Sequence, residues 1–304
     1  MAITAAMVKE LRQKTGAGMM DCKKALSEVD GDMDEAIEYL RKKGQMKAEK
    51  KADRIAAEGL CEVIIEDGRG AIVEVNSETD FVAKNDEFKN FVGAVARQAL
   101  SSDASDIDAF LAEGWLEDSG KTVKEALVDK IAVIGENLSI RRFKKVSADG
   151  GILVSYIHAG GRIAVLLKAE GEENDAARDA LSNIAMQIAA MNPKYISEKD
   201  VDAEYLEHEK EIIRAQIEND PKESQKPDKV KEGMIRGRIN KQLKEVCLLD
   251  QVYVRAEDGK QTVAAYLKSI GNLEITEFVR FETGEGIEKK EEDFAAEVAA
   301  QIAG

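Results

Sequence analysis

Three stretches of this sequence hold residue types whose spacing imitates a chemical site, and each falls short of one. Gly120-Lys121-Thr122 resembles the end of a phosphate-binding loop, where a glycine-rich turn and a lysine hold phosphate groups. The position five residues before Gly120 is Trp115, and no β-rich run precedes it, so the expected cradle is missing. Asp30, Asp32 and Asp34 begin like a calcium loop, but the sixth position is Glu35 in place of glycine and the twelfth is Arg41. Gly16-Ala17-Gly18 lacks both the preceding strand and the third glycine of a dinucleotide site. The two histidines, His158 and His208, leave little material for acid–base or metal chemistry, and His158 falls in a predicted hairpin turn without a nucleophile-and-base arrangement. The carboxylates are numerous but fall in amphipathic helices, where a solvated face is the ordinary explanation. The expectation is a protein with no catalytic residues, no metal site and no cofactor.

One segment stands out in the opposite sense. Asn76-Ser77-Glu78-Thr79-Asp80-Phe81-Val82-Ala83-Lys84 joins a predicted strand to a helix that Asn85 or Asp86 can cap and that begins near Phe88. Thr79, Asp80, Phe81 and Val82 are thus expected in a connector. An aromatic and a valine beside an aspartate at a loop tip fit an anchor for a partner. A Phe81 tucked back on the helix as a staple fits the spacing equally well.

Composition narrows the partners. The 304 residues carry 59 Asp+Glu against 44 Lys+Arg, a formal net charge of −15. That balance argues against direct nucleic-acid binding, which needs a basic surface to replace phosphate counterions. Arg41, Lys42, Lys43, Lys47, Lys50, Lys51 and Arg54 form one local basic run. No aromatic interleaves with it, so it reads as a solvated helical connector before it reads as an RNA-facing patch. Cys22, Cys61 and Cys247 are odd in number and without CxxC spacing, which fits a reducing compartment. No secretory signal is expected in the opening Met-Ala-Ile-Thr, and the longest uncharged stretches are too short to span a bilayer. A cytoplasmic protein without membrane contact is expected.

The elements that must position such an anchor follow from periodicity. Residues 1–44 predict three short amphipathic helices. Thr4 and Asp32 serve as N-caps, Gly16-Ala17-Gly18 as a break and Gly44 as a C-cap, which makes a small binding bundle of the ubiquitin-associated type. Residues 45–58 are the basic linker. Next comes a diverged repeat. GLCEVIIE and GAIVEVN flank a turn at Asp67-Gly68, and GILVSYIH and RIAVLLK flank a turn at Gly160-Gly161; each hairpin precedes a helix. TVKEALVDKIAVIGENLSIRRF from Thr122 then resembles TVAAYLKSIGNLEITEFVRF from Thr262. The fold class expected is α+β, with a duplicated core of antiparallel sheets covered by helices. Its two subdomains are residues 59–146 and residues 147–196 with 250–287. Residues 197–249 read as an inserted coiled-coil hairpin that docks on a partner, pairs with a symmetry mate or packs on the core, and residues 288–304 as a C-terminal helix.

TDFVAKNDEF at Thr79 resembles the signature of the bacterial elongation factor Ts family, the guanine-nucleotide exchange factors of elongation factor Tu. VKELRQKTGAGMMDCKKAL at Val8, GENLSIRRF at Gly135, IHAGGRIAVLL at Ile157 and FETGEGIEKKEEDFAAEVAA at Phe281 resemble further motifs of that family, in order along nearly the whole chain. The resemblance implies elongation factor Tu as the partner in translation elongation. Asp80 and Phe81 would then intrude near the magnesium and phosphates of its GTPase domain. Arg12, Met19 and Met20 would contact the same domain, and the His158 turn another. Ala159 stands where glycine is the commoner family choice. The inserted hairpin would serve dimerisation or docking, as a homodimer or a two-plus-two complex. The competing class is a scaffold that binds a GTPase without changing its nucleotide off-rate.

Overall fold

A computed structural model describes residues 3–288. The helix expected over 288–304 lies, apart from Glu288, outside the described residues. The chain opens with α1 (Ala5–Thr15), α2 (Met19–Glu28) and α3 (Met33–Glu49). Thr4 accepts from the Met7 N–H and Asp32 from the Glu35 N–H, satisfying donors that a helix start leaves free. Their apolar faces meet in one cluster that includes Leu11, Cys22, Leu26 and Ala36.

The first sheet unit follows. Strands β1 (Glu58–Glu66) and β2 (Arg69–Ser77) form a hairpin, then come α4 (Asp80–Lys84), α5 (Asp86–Ser101) and α6 (Ile107–Ala112). A short ribbon of β3 (Gly114–Trp115) and β4 (Asp118–Thr122) leads into α7 (Val123–Ile134) and β5 (Ser139–Ser147). The sheet order is β1-β2-β5, all antiparallel. The second unit repeats this plan with β6 (Ile152–His158), β7 (Ile163–Glu170) and α8 (Asp175–Met191). The helices α9 (Ala203–Asn219), α10 (Asp228–Val246) and α11 (Val263–Ile270) precede β8 (Glu274–Glu282), which closes a β6-β7-β8 sheet. Each sheet buries one face under its own helices. The opposite faces meet through Cys61, Ile72, Val146, Leu153, Leu166 and Phe281. The fold is α+β. Among the described residues no helix is long and apolar enough to cross a membrane.

Four expectations need correction. Gly44 does not cap α3, which continues to Glu49. A Cβ at Gly44 would stand 3.3 Å from the Ala132 side chain, so glycine serves there to bring α3 close along α7. The basic run is also no free connector. Lys43 and Lys47 bind Asp21 at 2.7 and 3.2 Å, Arg41 reaches Glu125 at 3.8 Å, and Lys51 donates to the Gly135 carbonyl. Most of its charge fastens the bundle internally and onto the first sheet unit. The 79–82 connector is instead the start of a helix, α4, and Gly120-Lys121-Thr122 itself lies in a strand, β4, paired with β3. Lys121 is nevertheless committed to Asp129 at 2.7 Å and Asp118 at 3.5 Å, which uses its charge within the fold.

Helices α9 and α10 pack on one another through Ile213, Ile217, Ile239 and Leu243, a cluster separate from both sheet cores. Leu248, inside the span read as the insertion, belongs to the second sheet core and is fully buried.

Candidate partner-binding site

The 79–82 segment is short, capped and firmly mounted. The Thr79 hydroxyl accepts from the Val82 N–H, so Thr79 is the N-cap of α4. Helix α4 is too short to persist on its own; tertiary bonds hold it. One carboxylate, Glu136, takes the N–H groups of Glu78 and Thr79, each at 3.0 Å, and the Thr79 hydroxyl at 2.6 Å. Glu78 in turn accepts from the Asn137 N–H at 2.5 Å and pairs with Arg54 at 3.5 Å. On the inner side of α4, Ala83 is buried and Val82 packs against the first core.

The outer side carries what the mount presents. Phe81 is 82% exposed. It does not staple back on a helix, which removes one of the two readings its spacing allowed. Asp80 lies beside it with Lys84 at 2.6 Å, and that ammonium holds its carboxyl below the usual carboxylate range. Such a pair at the surface is easily exchanged for another partner.

Met19 and Met20 open α2 and are 58% and 75% exposed, while Cys22 on the other side of the helix is fully buried. Asp21 between them grips Lys43 and Lys47 of α3, which lowers its own carboxyl below the usual range and fixes the start of α2. Arg12 is exposed near the end of α1, across the glycine turn. His158 ends β6 and is exposed, with its Nδ1 3.1 Å from the Tyr156 hydroxyl and Ile157 partly open beside it. In the turn after it, Ala159 takes the left-handed conformation at φ 48°, which a side chain disfavours. Gly161, at φ 103°, has no such alternative, because a Cβ there would fall 2.8 Å from Leu60. Among the described residues no hydrogen bond or ion pair joins α4 to Arg12, Met19, Met20 or His158.

Comparison with known proteins starts where this site does. The family model described as elongation factor TS matches residues 78–285, beginning one residue ahead of Thr79. The chain belongs to the elongation factor Ts family. A relative called elongation factor Ts from Halothermothrix orenii is 50% identical over 304 residues, with 99% of each chain covered. Others of that name from Clostridioides difficile and Clostridium novyi are 51% and 49% identical over 306 residues, again covering 99% of each. Within this chain the residues that sequence reasoning missed are the mounts, Glu136, Glu78 and Asn137. The signal for Glu136 was present only as part of GENLSIRRF, a motif matched without a role for its glutamate.

Proposed function

We propose that this chain is a guanine-nucleotide exchange factor for elongation factor Tu, acting in the cytoplasm during translation elongation and performing no covalent chemistry itself. The observation that carries the reading is Phe81, 82% exposed on a short helix whose foot is bonded to Glu136 and whose inner side packs on the first core. An aromatic held out in this way costs apolar exposure in the free protein, and seating it in a partner pocket returns on the order of 2 kcal/mol.

Linkage supplies the mechanism. A factor that binds nucleotide-free GTPase more tightly than the GDP form must weaken GDP by the same ratio. Magnesium and phosphate oxygens are the largest local charges holding GDP, so a carboxylate and an apolar wedge pressed beside them oppose the strongest interaction. In this reading Phe81 fills the space and Asp80 leaves Lys84 to compete for donors of the partner. Met19 and Met20, flexible and apolar, and Arg12 grip the GTPase domain, and the His158 turn grips a second domain. The α9–α10 hairpin, with Ile212 and Val230 partly open to solvent, is assigned to pairing or docking, in a homodimer or a two-plus-two complex. The α1–α3 bundle, the two sheet subdomains and the hairpin thus each present a binding surface on one body.

The test is stopped-flow release of a fluorescent GDP from elongation factor Tu. The reading requires acceleration that saturates with this chain. Binding without a change in off-rate assigns the chain to the scaffold class.

A further inference from the structure

Glu74 sits in the middle of β2 with no exposed surface, and its carboxylate accepts four hydrogen bonds. One oxygen accepts from the Gly284 N–H at 2.8 Å, Arg141 at 2.9 Å and Asn76 at 3.1 Å; the other accepts from Arg142 Nε at 2.5 Å. Consecutive strand residues ordinarily point to opposite faces. Both arginines reach one carboxylate because the β2–β5 register slips between Glu74 and Val75: Glu74 pairs with Arg142 and Val75 with Ile140, leaving Arg141 as the extra residue of a bulge. Burial alone would raise this carboxyl. The Gly284 N–H and the two guanidinium groups outweigh it and keep the group ionised and low.

The cluster adds directional bonds between two parts of the fold that also meet through the apolar faces of their sheets. Arg142 also donates to the Glu282 carbonyl and to Glu285, and stacks over the Phe281 ring at 4.2 Å. The segment it grips continues to the His158 turn. Thr283 donates its N–H to the Arg162 carbonyl at 2.9 Å and its hydroxyl to the Gly161 carbonyl at 3.3 Å, and Gly161 also receives the Cys61 N–H at 2.7 Å. Gly284, at φ 73°, fits only as glycine, since a Cβ would lie 2.1 Å from the Ala57 carbonyl oxygen. In the other direction β2 runs from Glu74 through Asn76, bonded to Glu74, to Ser77, whose hydroxyl donates to the Thr79 carbonyl at 3.0 Å. An apolar contact would hold two sheets together as well as an ionic one. The ionic contact differs in direction: four donors from two strands and a loop must all meet one carboxylate.

We propose that Glu74 is a positioning residue, whose cluster with Arg141, Arg142 and Gly284 fixes the separation of α4 from the His158 turn so that both engage one partner molecule at once. This rests on the exchange-factor reading. A rigid spacing makes the second contact intramolecular and spares its ordering cost, so affinity depends on both contacts and on the bond network between them.

The experiment is a double-mutant cycle on the full chain. His158→Ala is introduced into the wild type, Glu74→Gln and Thr283→Val, and each is titrated against nucleotide-free elongation factor Tu well below its melting temperature. In the wild type His158→Ala should weaken binding about tenfold. Glu74→Gln and Thr283→Val should each weaken it similarly, and adding His158→Ala should then cost less than about twofold more. In the Glu74→Gln and Thr283→Val single variants the saturated GDP off-rate should change by less than about threefold, because the Glu136 mount of α4 is untouched. Thr283→Val, nearly isosteric, decides the matter if Glu74→Gln does not fold. An undiminished His158→Ala penalty in both backgrounds overturns the proposal, and so does the absence of any penalty in the wild type. Failure of the wild type to accelerate GDP release overturns the exchange reading instead, and the binding cycle separates the two.

Discussion

Thr79 donates a 2.6 Å hydrogen bond to Glu136, a residue 57 positions further along the chain that also takes two backbone N–H groups at the foot of α4. The helix that carries Asp80 and Phe81 is therefore shaped from outside itself. Its geometry depends on a carboxylate in the loop between α7 and β5.

Glu136→Ala should unfasten that helix without removing either exposed side chain. Two partly buried N–H donors lose their acceptor, at a cost of about 1–2 kcal/mol in all, readable as a shift in urea midpoint. GDP release at saturating factor should slow several-fold even though Phe81 is present. An unchanged release rate would mean that α4 forms its working geometry only on the partner.

Phe81→Ala should leave the melting temperature nearly unchanged, since the ring is 82% exposed; a buried phenylalanine truncated in this way costs about 3–5 kcal/mol. In the proposed exchange reading binding should weaken only in part, because the contacts proposed for Arg12, Met19, Met20 and the His158 turn remain, while acceleration of GDP release should fall by more. Asp80→Ala should behave alike, the double variant should be less than additive, and Lys84→Ala should retain exchange. Equilibrium binding and off-rates measured on one set of proteins give both quantities. Wild-type acceleration by the saturated double variant would rule out the wedge.

Much of this was legible in the chain, and the residues that were not share a cause. The Asp67-Gly68 turn, the Thr4 and Asp32 caps and the alternation of both hairpins are local signals, and each element formed where those signals stood. Helix α4 spans five residues, too few for a period to register, so its cap read as a loop. The β4 strand, Asp-Ser-Gly-Lys-Thr, has no apolar alternation and is invisible until it pairs. Gly44 was misread because a glycine near a helix end signals a cap, while here the missing side chain admits Ala132 of another helix. Whether Phe81 faced in or out, and what Glu136 does, depended on contacts across tens of residues that no local pattern encodes.

The boundaries of the helical hairpin bear on any attempt to remove it. Tyr195 and Cys247 form a parallel bridge, the Leu248 and Leu249 N–H groups bond the Tyr195 and Ile196 carbonyls, and Leu248 is buried in the second core. Replacing residues 197–249 with a Gly/Ser loop should therefore open a cavity in that core and lower stability by about 2–5 kcal/mol, the range for deleting a buried leucine. Replacing only residues 203–243 should keep a cooperative melt and most exchange activity while changing self-association, as light scattering would report. Loss of exchange in a well-folded 203–243 replacement would assign the hairpin to the exchange step.

Glu62 offers a pH-resolved test of the first core. On β1 it falls between Leu60 and Ile64, which pack into the helix-covered core, so by strand alternation its side chain shares their face. It is half-buried, and among the described residues no cation is bonded to it and its carboxylate accepts only the Val63 N–H, at 3.1 Å. Burial pushes its carboxyl above the ordinary 4.5, against the smaller opposing effect of that hydrogen bond. A carboxyl whose folded value is raised binds its proton more tightly in the folded state. Its ionised form then costs stability at neutral pH, and the cost fades as pH falls through the folded value. Glu62→Gln keeps the acceptor for Val63 and removes the charge, so it should raise Tm at pH 7 by about 1–2 °C, a small effect because the site is only half-buried. The gain should vanish below about pH 4.5, where the wild-type side chain is neutral as well. Glu74, held low, loses its contribution at acid pH with the opposite sign, but equally in both proteins, so the difference between their melting curves isolates Glu62. Glu66→Gln, at the exposed end of the same strand, is the control and should leave Tm unchanged at both pH values. A Glu62→Gln gain that persists at pH 4 would mean that packing, and not the charge, is the source.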